Sequence, residues 1–379
     1  MRKELFSLTT VCLASLFLSI QVTSAEEQVD VDKNWILVSL HLHTMDNPGY
    51  HHSPFNPNPP ISYSVQGFHD IAAQARSAGV KGLVFTDHHS VGIGFDPVFS
   101  QTKDLILVLG MEWTSKDGHM NLVRYHPHSP RDILLPPDPS ERQPTEPYAY
   151  PSVISEVQRR GGIAIINHPE SPNHRWPENT FRADAVEVYN GPYSHISFWQ
   201  RRLRESIKIT AVGGSDYHSW DVFKKGPISP QRNSVVRPVN LVWTGGERSP
   251  EAILDGIRQG RVVVLSSPAA PRIFLRVDRN LEDKFEDGRE GDTLRFSRGR
   301  KAQVSMQIRV VDGAEGVLEL IDRGDVFKTL PVTQSEFVHE LNYTVHPDPN
   351  GFLYNFVRAQ VRRDGELAIS NPIYLESAP

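Results

Sequence analysis

Between about residues 35 and 270, short apolar runs alternate with segments of helical periodicity, and this alternation is the strongest constraint on the fold. "NWILVSLH", "VKGLVFT" and "GGIAIIN" are continuous apolar runs of the kind that form buried strands. "FHDIAAQARSAG" spaces its apolar residues on one helical face, and "SPEAILDGIRQG" has Ser249 as N-cap and Pro250 at the first helical position. Buried strands that alternate with helices predict a mostly parallel sheet covered on both faces, or a closed barrel.

Histidines and carboxylates follow these apolar runs repeatedly. They are His41, His43, Asp87, His88, His89, Glu112, His119, His168, Asp216 and His218. In barrel enzymes the C-terminal ends of the strands meet at one rim, and the active site is built there. An open sheet places ligands in a similar way. So many strand ends that converge on one site favour a closed barrel.

Taken singly, these residues also fit structural roles. His41 and His43 suit a hydrogen-bonded strand end, His119 a turn, and Asp216 a helix N-cap. As a cluster they indicate more, because burying many ionisable groups together is costly unless cations balance them. Imidazoles and carboxylates are common ligands of zinc, manganese and iron. The set therefore predicts a centre with more than one divalent metal ion.

The first 25 residues have the pattern of a secretory signal peptide. Arg2 and Lys3 precede an apolar stretch, and small residues at Thr23 and Ala25 suit cleavage after Ala25. A membrane anchor is the alternative, although the stretch is short and lacks a stop-transfer flank. We expect a secreted or periplasmic protein whose mature chain has no membrane span.

Charge and cysteine content narrow the function classes further. The formal net charge of −5 gives no reason to expect a nucleic-acid partner. The single cysteine, Cys12, lies in the predicted signal peptide, so the mature chain would have neither a disulfide nor a thiol nucleophile.

After about residue 271 the pattern changes to strands of period two. "AQVSMQIRV" alternates Val304, Met306, Ile308 and Val310 with polar residues, and Gly/Asp turns separate such runs. Residues 271–379 are therefore predicted to form a small antiparallel β-sandwich. No cluster of candidate catalytic residues lies in this part of the sequence.

Six short motifs occur in an order and spacing that resemble the PHP superfamily, named after polymerase and histidinol phosphatase domains. They are "LHLHT", "FTDHH", "GMEW", "GHMN", "INHPE" and "GSDYH". "VEVYNG", "GRVVVLSSP" and the late "AISNPIYL" resemble the carbaryl-hydrolase-related branch of that superfamily. The resemblance implies a distorted (β/α)7 barrel over residues 26–270 with two or three bound metal ions, followed by the β-sandwich.

The resemblance also implies a distribution of ligands. The first metal would be held by His41, His43, Glu112 and Asp216, and the second by Glu112, His119 and His168. His88 and His218 would hold a third, together with a histidine from the loop after the first strand, for which His51 and His52 are the candidates. The loop "MDNPGYHHSPFNPNPP" departs from the shorter Ser-Asp-Gly turn of the family.

Other residues are predicted to act beside the metals. Asp87 would orient its neighbours, and His218 or His89 would protonate a leaving group; packing is the alternative for His89. Residues expected to contact substrate are His89, His174, Arg175 and Asn190. Arg175 can clamp a phosphate bidentately, although a solvated loop arginine fits the sequence equally well.

The predicted activity is hydrolysis of a small-molecule ester, most simply a phosphomonoester or phosphodiester. A hydroxide that bridges two cations would be the nucleophile, while the cations polarise the ester oxygen. A carboxylic or carbamic ester is the alternative substrate for the same centre. A third reading is a non-catalytic, metal-stabilised protein whose β domain attaches it to a glycan or partner.

Overall fold

The computed structural model describes residues 31–44, 63–88, 90–115, 118–124, 149–172, 176, 182–218, 234–279, 284–347, 349–351 and 353–378. The helices are α1 (Val31–Asn34), α2 (Val65–Ser77), α3 (Pro97–Gln101), α4 (Ala149–Arg159), α5 (Ile196–Arg204) and α6 (Pro250–Arg258), with a 3-10 turn at Gly92–Phe95. The predicted signal peptide lies outside the described residues.

Strands make up most of the regular structure. The first ten are β1 (Trp35–His43), β2 (Gly82–Phe85), β3 (Ile106–Ser115), β4 (Gly118–Val123), β5 (Ile163–Asn167), β6 (Ala185–Asn190), β7 (Tyr193–Ser194), β8 (Thr210–His218), β9 (Val239–Trp243) and β10 (Val262–Leu265). The others are β11 (Arg272–Asp278), β12 (Gly288–Arg289), β13 (Thr293–Phe296), β14 (Ala302–Val311), β15 (Val317–Asp322), β16 (Asp325–Pro331), β17 (Glu336–Val345), β18 (Tyr354–Arg363), β19 (Glu366–Ser370) and β20 (Ile373–Ser377).

Local sequence signals explain the two helices that periodicity and caps predict. The side chain of Ser64 accepts a hydrogen bond from the Gly67 amide and starts α2, whose apolar face is buried as expected. Ser249 does the same for α6 through the Ala252 amide, and Pro250 is the first residue of that helix. Both predictions are confirmed.

Seven strands close into a barrel in the order β1, β2, β3, β4, β5, β6, β8 and back to β1. β1 pairs with two strands along the same edge. Its first half runs antiparallel to β9, and its second half runs parallel to β8. The barrel is therefore closed at the end where β1 finishes, while at the other end β9 leads away into a larger sheet.

The predicted (β/α)7 barrel is wrong. Strand residues far outnumber helical residues in the described part of the chain, and the barrel mixes parallel and antiparallel pairs. β4 is antiparallel to both β3 and β5, and only two residues separate β3 from β4. A connection this short joins antiparallel neighbours, because a parallel crossover needs a dozen or more residues. The protein is mostly β, with a seven-stranded barrel and additional strands.

Asn240 fills the fork where β8 and β9 diverge from β1. Its side-chain oxygen accepts a hydrogen bond from the Gly213 amide, and its amide nitrogen donates to the Gly213 and Val38 carbonyls. The side chain is fully buried. It thus satisfies backbone groups that would otherwise lose their ladder partners at the fork.

Residues after β10 form strands without a helix in the described part of this region. β12, β11, β14 and β17 make a four-stranded sheet, and the other strands extend the barrel sheet through the pairing of β10 with β19. The predicted alternation in β14 is confirmed, since Val304, Met306, Ile308 and Val310 are all buried. The predicted boundary at residue 270 lies between β10 and β11, but the sheet is continuous across it. Among the described helices, none has the length and apolar character needed to cross a membrane.

Candidate metal centre

The predicted histidines and carboxylates that the structure describes meet at the closed end of the barrel. β1 contributes His41 and His43, and β8 contributes Asp216 and His218. Asp87 and His88 come shortly after β2, and His168 directly follows β5. Glu112 lies in the second half of β3, and His119 is the second residue of β4. The predicted residues that the structure describes are thus brought together, although His119 comes from the start of its strand and the barrel that carries them differs from the predicted one.

Glu112 lies at the middle of this cluster. Its carboxylate oxygens are 2.9 to 3.4 Å from ring nitrogens of five histidines: His41, His43, His88, His119 and His168. The side chain is only 1% exposed. A single buried carboxylate therefore contacts almost every imidazole of the site.

Asp216 is the second carboxylate of the cluster. Its Oδ1 lies 3.3 Å from Nε2 of His41 and 3.4 Å from Nε2 of His43, while its Oδ2 is 3.8 Å from Nε2 of His168. His218 orients itself on the same residue, since its Nδ1 donates to the Asp216 carbonyl at 2.9 Å. With Nδ1 acting as donor, Nε2 of neutral His218 is the nitrogen available to a ligand.

Three overlapping groups of these residues have the geometry of metal sites. The ligand atoms within each group lie within 4.8 Å of one another, and the groups are His41, His43, Glu112 and Asp216; Glu112, His119 and His168; and His43, His88 and His218. Glu112 belongs to the first two groups, and His43 to the first and third. The first two groups match the predicted ligand sets. The third differs, because His43 stands with His88 and His218; the predicted His51 and His52 lie outside the described residues.

Buried atoms in the cluster support the fit to cations. Among the described residues, His41 Nε2, both ring nitrogens of His43 and Glu112 Oε2 are buried without a hydrogen bond of normal geometry. Glu112 Oε2 nevertheless lies 3.0 Å from His88 Nδ1, and the two Nε2 atoms lie 3.3 and 3.4 Å from Glu112 oxygens. Buried polar atoms are normally paired, so such a concentration calls for an explanation. The His43 ring also stacks on those of His88 and His218, with centroids 4.6 and 4.2 Å apart. Imidazoles and carboxylates at these distances form a suitable donor set for divalent transition metals.

Three of the candidate ligands have a backbone conformation that favours glycine. His41, His168 and Asp216 have φ angles of +63°, +27° and +52°. Such conformations cost about 1–3 kcal/mol each and persist when the surroundings impose them. The pairing register of β1 also shifts near His41, against both β2 and β8. The irregular backbone turns these side chains toward one point at the end of the barrel.

The charges and burial of the cluster shift the pKa values of its histidines in opposite directions. Burial opposes the charged form of His41, but Asp216, Glu112 and Glu187 together raise its pKa well above the usual value. Burial and the neighbouring His218 and His88 lower the pKa of His43 well below that value. Burial also works against ionised Glu112, yet His41, His88 and His119 keep its pKa well below the usual range. Without metal, the site therefore favours charged carboxylates next to a protonated His41.

Glu187 and Asn167 are site residues that the sequence did not single out. Glu187 Oε1 is 2.6 Å from Nδ1 of His41, and Asn167 donates from Nδ2 to Glu112 Oε1 at 2.9 Å. Both side chains are fully buried. A signal was present for Asn167, because "INHPE" ends a strand on the rim that carries the candidate ligands.

Asp87 contacts Thr44 at the end of β1. Its Oδ1 accepts from the Thr44 amide at 2.7 Å, and its Oδ2 accepts from the Thr44 hydroxyl at 2.8 Å. These bonds fix the position of Thr44, the residue directly after His43. They agree with the predicted orienting role.

The predicted substrate-binding residues are only partly described. His89, His174 and Arg175 lie outside the described residues. Asn190 is buried at the end of β6, and its Nδ2 donates to Glu187 Oε2 at 2.9 Å. Trp176, which follows Arg175, packs against Gly118 beside the ligand His119, where a Cβ atom would lie 2.3 Å from the indole ring.

Metal binding should release protons. His41 and His168 both have pKa values raised above the ordinary 6.5, His41 strongly so, whereas a histidine that ligates metal must be neutral at the bound nitrogen. Apparent affinity for zinc should therefore rise with pH above 6.5 and level off once these histidines lose their protons. Calorimetric titrations at pH 7 in buffers of different ionisation enthalpy measure the number released. Equal enthalpies in all buffers would contradict the expectation.

Gly214 leaves the space that Glu187 occupies. A Cβ atom on Gly214 would lie 1.8 Å from Glu187 Oε1, and both residues are buried between β6 and β8. Gly214→Ala should therefore displace the carboxylate, weaken metal binding and destabilise the fold by about 1–3 kcal/mol. Urea unfolding and zinc titration measure the two effects. Gly161→Ala is the control for zinc affinity: its Cβ would meet no atom within 4 Å, so it carries the backbone cost of a side chain at φ +79° without displacing Glu187.

Comparisons with known proteins find few similarities to this chain. No family model matches the chain, and neither does any curated protein. Among solved structures, the chain is similar to the CARDB domain of a Pyrococcus furiosus protein, determined by solution NMR, at 11% identity and a TM-score of 0.17. That match covers 27% of this chain and 95% of the CARDB domain.

Proposed function

We propose that the protein is a metal-dependent hydrolase of small-molecule phosphoesters, with a site of the kind found in the PHP superfamily. The observation that carries the proposal is the sharing of Glu112 between two adjacent groups of potential ligands. Sites that hold two cations side by side are common among phosphatases and nucleases, and Glu112 would be a ligand common to both. The order of the six motifs along the chain adds to this support.

Bound divalent cations would supply an activated water at neutral pH and polarise the ester oxygen. The chain's own residues would hold this arrangement rigid. Glu112 and Asp216 offer negative charge that offsets the cations, and buried strand ends fix the imidazoles around them. Asn167 donates to the same Glu112 oxygen that faces His41, His119 and His168, which restricts rotation of the carboxylate.

Residues of the chain would also help to neutralise the charge of the substrate phosphate and of the leaving group. His88 and His218 would lie beside a third cation, which would neutralise a phosphate oxygen or the leaving oxygen. We assign proton donation to the leaving group to His218 when no third cation is bound, since an imidazole that ligates a metal through Nε2 has no proton there to give. Its side chain lies at the end of β8 and is 14% exposed. Arg175 remains the proposed phosphate clamp.

The test is a substrate panel on the purified mature protein. Aryl phosphates and bis-aryl phosphates are compared with aryl acetates and aryl carbamates of the same leaving group, with manganese, zinc or iron(II) added. The proposal expects turnover of the phosphoesters. Turnover of only the acetates or carbamates would favour the alternative ester class. Tight metal binding with no turnover of any ester would favour a metal-stabilised binding protein.

A further inference from the structure

We propose that Glu187 is a positioning residue that sets the metal affinity of the site by holding two ligands of neighbouring metal groups, His41 and His168. This rests on the proposed metal centre and adds a residue outside its predicted ligand set. Glu187 lies on β6, and it contacts ligands that come from β1 and from the end of β5.

One carboxylate oxygen fixes the imidazole of His41. Oε1 is 2.6 Å from Nδ1, while Nε2 of the same ring lies 3.3 Å from both Glu112 and Asp216. A carboxylate at Nδ1 keeps the proton on that nitrogen and leaves Nε2 as the metal-binding atom. Glu187 therefore selects both the tautomer and the ring orientation that the first metal group needs.

The other oxygen holds the backbone of His168. Oε2 accepts from the His168 amide at 2.8 Å, and His168 has the strained φ of +27°. The bond helps to impose the conformation that directs His168 toward Glu112. Asn190 donates to the same oxygen and fixes the carboxylate in turn.

The pattern of donors around Glu187 requires two acceptor oxygens. His41 Nδ1 faces Oε1, and two N–H donors face Oε2. Glutamine has the same shape but only one acceptor. With that oxygen toward the His168 and Asn190 N–H groups, Glu187→Gln turns its amide N–H toward His41 Nδ1 and favours the tautomer with the proton on Nε2, the nitrogen that the metal needs. A purely structural link between strands would tolerate this exchange much better.

Asp184 provides a matched control on the same side of the barrel. It accepts from the Ala164 amide at 2.9 Å, at the beginning of β5, and also from Gln158. Like Glu187, it connects β5 to the region of β6 through a backbone N–H. None of its described hydrogen bonds involves a ligand histidine, so Asp184→Asn tests a structural connection alone.

The experiment titrates metal-free protein with cobalt(II) and zinc in competition with a chromophoric chelator, for wild type, Glu187→Gln, Glu187→Asp and Asp184→Asn. We expect Glu187→Gln to weaken the tightest ion by about 10- to 100-fold, as outer-sphere changes do, and to alter the visible cobalt spectrum. Glu187→Asp keeps the charge and should recover part of the affinity. Asp184→Asn should leave both affinity and spectrum unchanged.

The outcomes separate this role from the proposed function. Tight binding by wild type, with the same affinity and spectrum in a folded Glu187 variant, would overturn the positioning role and leave the hydrolase proposal standing. Wild-type protein that binds no metal would overturn both. Thermal unfolding of the metal-free proteins identifies a variant that has not folded. If one of the two Glu187 variants does not fold, the metal titration is carried out on the other. Loss of folding in both would show that Glu187 is structural.

Discussion

Glu112→Ala should lower kcat/KM for a phosphodiester by at least about 10³-fold, well beyond the roughly 10- to 100-fold that outer-sphere changes cost. Glu112 is within 3.4 Å of five imidazoles and belongs to two of the three potential metal groups. Its removal deletes a shared ligand and leaves the histidines without their central counter-charge. Two metal groups should therefore fail together.

Rates and metal content are measured on the same preparations. A phosphodiester assay at saturating manganese or zinc gives kcat/KM, and elemental analysis after desalting gives ions per chain. Glu156→Ala is the control, since this carboxylate of α4 pairs only with Arg159 and Arg160 among its described partners, and exposed pairs contribute little. Activity within tenfold of wild type at unchanged metal content would refute the central role of Glu112.

More of the candidate site than of the fold could be predicted from the sequence. A ligand at the end of an apolar run carries its chemistry in its residue type, and several such runs necessarily bring their ends together when they share a sheet. Glu187 escaped this reasoning because it lies inside its strand, three residues before Asn190, where it reads as an outward-facing polar residue. Only the three-dimensional structure shows that His41 and Gly214 enclose it.

The fold prediction failed where strand direction mattered. An apolar run has the same composition whether its neighbour is parallel or antiparallel, so the mixed pairing of β4 was not visible in the hydrophobic pattern. One local signal was available. Asp117 and Gly118 form an Asp-Gly pair between two apolar runs, which is typical of a hairpin, and β3 and β4 pair antiparallel there. The pairing of β10 with β19 joins residues about a hundred positions apart and has no such signal.

Removal of metal should destabilise the protein more than any single substitution at its surface. An ion that binds only the folded state adds about 4 kcal/mol when its free concentration is 1,000 times its dissociation constant. Two such sites would add roughly 8 kcal/mol, which corresponds to a decrease of roughly 10 °C or more in Tm on chelation. The predicted mature chain has no cysteine, so the unfolded chain would compete for the ions through histidines and carboxylates but not through thiolates, and that competition reduces this figure.

The structure gives the physical reason for this dependence. Without cations, the buried ring of His43 stacks 4.2 Å from the partly exposed ring of His218, and Glu112 and Asp216 both lie 3.3 Å from Nε2 of the buried His41. Cations on these ligands replace repulsion and unsatisfied lone pairs with bonds. Differential scanning calorimetry with zinc and then with excess chelator measures the change. In Glu112→Ala, chelator should lower Tm by only a small part of the wild-type decrease. In His339→Ala, which changes a histidine of β17 remote from the site, the decrease should equal that of wild type. A Tm that chelator leaves unchanged in wild type would mean that the cluster is held together by its own hydrogen bonds and ion pairs.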